Sequence, residues 1–236
     1  MNDIKIAFTA LLISSCMALL FVCALALQKR PTSKAPAVFL ALTGICVTIY
    51  DFGYAMEINV QTLSEIMFWV RFQHIGIQLL PAFWLMFALN VMGKRKHVTP
   101  LIAVLLFLPP LVGLACSQTL GGLNLLHPNP RMATGETVSL FAYDRGWAIY
   151  MVTIMQSIYI AATFITFTIG LVRGTPIPRK QTIIYWVGSA LPWVSSLAYN
   201  FGFVPYNIDP TPLVLSLCII LLLYGFLQVG ILNPEP

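Results

Sequence analysis

The sequence predicts an all-α membrane protein, a seven-transmembrane helix bundle forming one domain over residues 1–236. Three observations predict it. Hydrophobic residues make up 58% of the chain and charged residues only 9%, whereas soluble domains carry about 25% charged residues. Apolar runs of about 20 residues, the length that crosses a bilayer, recur along the whole chain. Basic residues gather in alternate connections, as the positive-inside rule requires of a multi-pass protein.

The runs lie at about 4–28, 36–56, 66–92, 98–117, 146–172, 181–202 and 211–230. The first contains Ala24-Leu25-Ala26, which looks like a cleavage site. Its apolar run exceeds the roughly 7–15 residues of a signal peptide, and Asp3 precedes the single Lys5 of its leader. It reads as a retained helix. The connections 29–35, 93–97 and 173–180 hold Lys29, Arg30, Lys34, Lys94, Arg95, Lys96, Arg173, Arg179 and Lys180. The alternate connections hold Arg131 and Arg145 against Glu57, Glu65, Glu136, Asp144 and Asp209. The N-terminus is therefore expected outside and the C-terminus in the cytoplasm. The net charge of +5 follows from this asymmetry and suits anionic inner-leaflet lipid. Nucleic acid is not an expected partner, since no soluble surface exists to present a basic patch.

The second and third runs carry the most polar groups. Arg71, His74 and Gln78 stand at i, i+3 and i+7, on one face of a helix, and that face must look into protein or water because charge at membrane depth is costly. Asp51 and Arg71 each lie about five residues from the outer end of their helix, some 7 Å deep at about 1.5 Å per residue. Pairing of Asp51 with Arg71 or His74 is the expected remedy. The long connection 118–145 holds Gly121-Gly122 and His127-Pro128-Asn129-Pro130. It reads either as a binding lid or as a surface excursion with a short hairpin, with His127 an exposed turn residue.

Further along, Tyr150, Thr153 and Ser157 form a stripe on the fifth helix, with Gln156 and Tyr159 beside it. On the sixth, Ser189, Trp193, Ser196 and Asn200 form another, and Pro192 should free a carbonyl within it. Such stripes also serve simply as interhelical hydrogen bonds, and Tyr50, Tyr54, Trp147 and Tyr199 suit an interfacial aromatic belt. The candidate ligand-binding residues are Arg71, His74, Gln78, Asp51, Trp84, Tyr150, Trp193 and Asn200.

Enzymatic readings find no support. Neither H-E-x-x-H nor G-x-S-x-G occurs, and the last run lacks the lysine a retinal pigment needs. The cysteines (Cys16, Cys23, Cys46, Cys116 and Cys218) show no C-x-x-C spacing and read as small buried hydrophobes, not as a metal or disulfide framework. No cofactor is expected. A proton or ion carrier using Asp51, Arg71 and His74 remains an alternative, as does a partner-binding membrane protein in which these residues only pack.

The stretch Phe68-Trp69-Val70-Arg71-Phe72-Gln73-His74-Ile75-Gly76-Ile77-Gln78-Leu79-Leu80-Pro81-Ala82-Phe83-Trp84 resembles the N-terminal seven-helix sensor region of bacterial membrane histidine kinases, also found ahead of diguanylate cyclases. So do Gly188-Ser189-Ala190-Leu191-Pro192-Trp193-Val194-Ser195-Ser196-Leu197-Ala198-Tyr199-Asn200, Asp209-Pro210-Thr211-Pro212 and the terminal Gly230-Ile231-Leu232-Asn233-Pro234-Glu235-Pro236. The resemblance covers nearly the whole chain. It implies a sensory module of a two-component system in the bacterial cell membrane, without catalysis in residues 1–236, that signals through its last helix to a cytoplasmic output domain in cis or in trans. The expected ligand is small or lipophilic and sits in an outer-half pocket between helices 2, 3, 5, 6 and 7. Arg71 would anchor an anionic group, and Trp84 and Trp193 would form apolar walls. Membrane lipid and a second copy of the chain in a homodimer complete the expected partners.

Overall fold

The computed structural model describes residues 2–28, 34–119, 124–134, 139–174, 176–200, 203–204 and 209–228. Seven long helices carry the fold: α1 Asn2–Gln28, α2 Lys34–Glu57, α3 Leu63–Val91, α4 Pro100–Gln118, α5 Trp147–Arg173, α6 Arg179–Asn200 and α7 Thr211–Gln228. A 3-10 turn, Arg95–His97, precedes α4. Each matches an expected segment to within a few residues. Five of them (α1 to α5) are long and apolar enough to cross a membrane. The sixth opens on Arg179-Lys180-Gln181 and carries hydroxyls throughout, while the apolar stretch of α7, Thr211–Leu223, is shorter.

Local chemistry sets several boundaries. Thr62 and Glu65 close a capping box on α3, with Glu65 N–H donating to Thr62 Oγ1 (3.3 Å) and Thr62 N–H to Glu65 Oε2 (3.3 Å). Thr99 caps α4 and Pro100 occupies its first position, where a missing N–H costs nothing. α5 ends at Gly174, whose φ of 89° is a conformation glycine adopts freely.

α3 is the hub, touching α2, α4 and α5. The contacts α2–α3, α3–α5, α5–α6, α6–α7 and α7–α2 close a ring of five helices, with α1 against α2 and α7 and α4 outside against α3. The α2–α3 seam is the closest. A Cβ added at Gly76 would lie 2.2 Å from the Cys46 carbonyl oxygen, so only glycine lets these backbones meet there.

Prolines inside the helices free carbonyls, and α5 answers two of them. Pro81 cannot donate to the carbonyl of Ile77, which accepts instead from Gln156 Nε2 (3.4 Å). Pro110 likewise leaves the Leu106 carbonyl to the Tyr159 hydroxyl (2.5 Å).

Two ends of the bundle differ. Towards the basic connections, buried apolar side chains from every helix except α4 form one core, including Leu19, Leu40, Trp84, Phe87, Phe167, Tyr185 and Leu222. Towards connection 118–145 the buried groups include the polar side chains of Asp51, Glu57, Gln73, His74, Gln78 and His127, beside smaller apolar clusters such as Leu12, Tyr54, Ala55 and Ile58. That connection contains a hairpin, β1 Arg131–Thr134 paired antiparallel with β2 Ser139–Ala142. It meets the short-hairpin reading of the sequence. The strands are local and lie outside the bundle's helices.

Candidate functional site

A cavity of about 190 Å³ sits at the centre of the five-helix ring. Tyr50 and Thr43 of α2, Ile77 to Trp84 of α3, Gln156 to Thr163 of α5, Ser189 to Ser196 of α6 and Thr211 to Ile219 of α7 supply its wall. No charged side chain is among the described residues of that wall. Trp84 closes the basic side and donates from Nε1 to Ser189 Oγ (2.8 Å), bridging α3 and α6. Three wall hydroxyls are committed to their own helices: Thr43 donates to Phe39 O (2.8 Å), Thr163 to Tyr159 O (2.9 Å) and Ser189 to Tyr185 O (2.8 Å). The buried hydroxyl oxygen of Thr211 has no hydrogen-bond partner.

The strongly polar residues lie elsewhere, in a layer at the loop end. Asp51 accepts at Oδ2 from Ser15 of α1 (2.6 Å) and from Ser216 of α7. Gln73 donates to Glu57 (2.5 Å) across the α2–α3 seam. Tyr50 donates to Asp209 Oδ2 (2.9 Å), and the Asp209 N–H donates to the Tyr54 hydroxyl (2.8 Å), tying the entry of α7 to α2. Burial raises the Asp209 carboxyl above its ordinary range, opposed by donors from Thr211 and Tyr50.

Gln78 Nε2 donates to His74 Nδ1 (3.3 Å). The proton of neutral His74 is then on Nε2, directed at Nε2 of His127 (3.1 Å). Tyr143 packs edge-on to His127, ring centroids 4.0 Å apart. Burial, and then the neighbouring imidazole, push the His127 pKa down to about 3.

The predicted residues thus divide. Trp84 and Trp193 line the ring cavity. Gln78 lines a second, apolar cavity of about 380 Å³ between α3, α4 and α5. His74 belongs to the polar layer. The expected pairing of Asp51 with Arg71 or His74 is not formed. Asp51 shares the depth of those residues but not their direction, because α2 faces α3 through Cys46, Tyr50, Gly53 and Glu57. One residue on from Tyr50 is a rotation of about 100°, which aims Asp51 at α1 and α7. Arg71 is half-buried on α3, its carbonyl accepting from Gln118 of α4 (2.9 Å), and its Nε has no partner.

Two further expectations are corrected. His127 is 5% exposed rather than an exposed turn residue. Its loop folds back onto the bundle, with Gly146 N–H on Leu126 O (3.2 Å) and Asp144 N–H on Pro128 O (2.9 Å). Tyr150 stands 54% exposed on the outside of α5 and away from the cavity. Its stripe-mates Thr153 and Ser157 are exposed and bond back to their own helix. The adjacent Gln156 and Tyr159 face inward instead. The side chain of Asn200 lies outside the described residues. Sequence reasoning missed Glu57 and the cavity hydroxyls Thr43, Thr163 and Thr211; each of the three is the one cavity-facing Ser or Thr of its helix among the described residues and so makes no spacing pattern.

The sequence model of one family, described as the N-terminal 7TM region of histidine kinase, matches residues 10–236. No curated protein matches the chain.

Proposed function

The chain belongs to the family of N-terminal 7TM regions of histidine kinases, and from this we propose that it is a membrane-embedded sensory input region for a small neutral lipophile. The observation that carries the reading is the cavity at the centre of the five-helix ring. Its volume of about 190 Å³ falls below the roughly 300–1,000 Å³ of pockets for drug-sized ligands. It is somewhat above the roughly 150 Å³ that accepts one aromatic ring. A wall without charge among its described residues offers no counter-ion to an anion or cation, and burying an unpaired charge there would be prohibitive. Two tryptophans and a buried, unengaged threonine hydroxyl suit an apolar body bearing one hydroxyl or carbonyl. This replaces the anionic ligand anchored on Arg71, which is not in the wall.

Binding reaches the output through α7. Thr211, Leu215, Cys218 and Ile219 of that helix face the cavity, so a ligand favours whichever position of α7 leaves room for it. The shift it produces equals its difference in affinity for the two arrangements. With the basic connections on the cytoplasmic side of a bacterial cell membrane, α7 descends towards a kinase domain supplied in cis or in trans.

The test uses the purified chain in nanodiscs, in a variant keeping Trp84 as its sole tryptophan, titrated with 4-bromobenzyl alcohol. The proposal expects saturable quenching of Trp84 that disappears when Thr163→Leu fills the cavity. Quenching that never saturates, or that is equal in both proteins, reports partition into the bilayer and overturns the proposal.

A further inference from the structure

Asp51 is 0% exposed, and its two oxygens are treated unequally. Oδ2 accepts from two serine hydroxyls, on α1 and α7. Oδ1 is buried with no hydrogen-bond partner. No basic side chain is bonded to the carboxyl; the ion pair formed among the described residues joins Arg131 to Asp144 in the loop hairpin. A carboxyl at this depth is either neutralised by a proton or held by a positive charge. A proton on Oδ1 would itself lack an acceptor, and a proton on Oδ2 would leave Oδ1 a bare carbonyl, so neither protonated form satisfies both oxygens.

The oxygens gathered at this carboxyl are of the kind a hard cation takes. Ser15 Oγ lies 2.6 Å from the carboxylate and 2.7 Å from the Leu12 carbonyl oxygen, and Ser216 approaches from α7. Carboxylate, hydroxyl and carbonyl oxygens are hard donors that select alkali and alkaline-earth ions over transition metals. One carboxylate among neutral donors carries a single negative charge, so a divalent ion would leave excess charge in an apolar junction. We infer that Asp51 holds a sodium-sized monovalent cation where α1, α2 and α7 meet. The site is distinct from the ring cavity, whose wall excludes Asp51, and stands or falls independently of the lipophile. Ser216 of α7 is bonded to the same carboxyl, so an ion there bears on the hold of α7 against α2, which makes sodium a second input to the same helix.

The experiment is thermal unfolding of the purified chain in nanodiscs at pH 8, titrated with sodium chloride against choline chloride at constant ionic strength. The expected result is a saturable rise in Tm of roughly 2–6 °C with sodium. Lithium should follow closely and potassium should need several-fold higher concentration. Asp51→Asn should abolish the rise, and Ser216→Ala, which keeps the charge, should raise the half-saturating sodium concentration several-fold. Equal effects of sodium and choline, or a sodium effect that survives Asp51→Asn or is unmoved by Ser216→Ala, overturn the inference. So does stabilisation by acid alone without any sodium effect, which would assign the charge to a proton.

Discussion

The two ends of the bundle are held by different means. The basic end is a largely apolar core, with Gln181 and Thr182 also buried at that end, in which Trp84 stacks on Phe87 (centroids 5.0 Å apart) and Phe87 meets Tyr185 edge-on (5.2 Å). The loop end is held by hydrogen bonds between buried polar groups: Glu57 with Gln73, Asp51 with two serines, His74 with His127. Dispersion contacts are many and individually weak, and close packing fixes them collectively, whereas a buried hydrogen bond is directional and leaves a costly orphan when broken. The cavity lies at the seam, with Trp84 as floor and Tyr50 and Thr211 as the route to the polar layer. A fixed end beneath and a latched end above are what an input region needs if α7 is to move at one end and stay in register at the other.

Three perturbations sharpen this contrast, in descending size. Phe87→Ala removes a fully buried ring from the apolar core and should cost about 3–5 kcal/mol, measured as lost thermal stability with no dependence on pH. Gln73→Ala orphans Glu57, which is 7% exposed, and should cost about 1–3 kcal/mol. The double variant Glu57→Leu with Gln73→Leu should recover much of that loss, because removing both partners leaves no orphan. A double variant no better than Gln73→Ala would place the loop end among ordinary packing.

The smallest effect concerns the loop tether. His127 has a folded pKa of about 3 against 6.5 ordinarily. Between those values the unfolded loop therefore binds more protons, and tether stability falls as pH falls. Going from pH 6.5 to 5.5 should cost up to roughly 1.4 kcal/mol. The loss should appear as faster proteolysis of residues 124–146, and His127→Gln should flatten it. Asp209, whose carboxyl is raised, works with the opposite sign and favours the folded state in acid, so the His127 effect is read as the difference between the two proteins. An unchanged acid dependence in His127→Gln would contradict it.

What the sequence disclosed was position along each helix; what it withheld was direction around it. Segment lengths placed all seven helices. That Asp51, Arg71 and His74 lie towards the same end of the bundle was also legible. That Asp51 turns to α1 and α7 was not, because the phase of α2 is set by the backbone contact of Gly76 with Cys46, a tertiary fact invisible in the spacing of one helix. His127 was misjudged for a related reason. Two flanking prolines mark a turn, but only the docking of the loop on α3 decides that the turn is buried. The helix spacing of Tyr150, Thr153 and Ser157 was real, yet its hydroxyls were satisfied by their own helix and needed no neighbour.

The central claim is a division of labour, in which the cavity takes the ligand and the polar layer holds the fold. The measurement that tests it most directly is the 4-bromobenzyl alcohol isotherm on Gln73→Ala and on Thr163→Leu, each well below its own Tm. The account predicts an isotherm close to that of the unaltered chain for Gln73→Ala and none for Thr163→Leu. Binding lost in Gln73→Ala and kept in Thr163→Leu would contradict it.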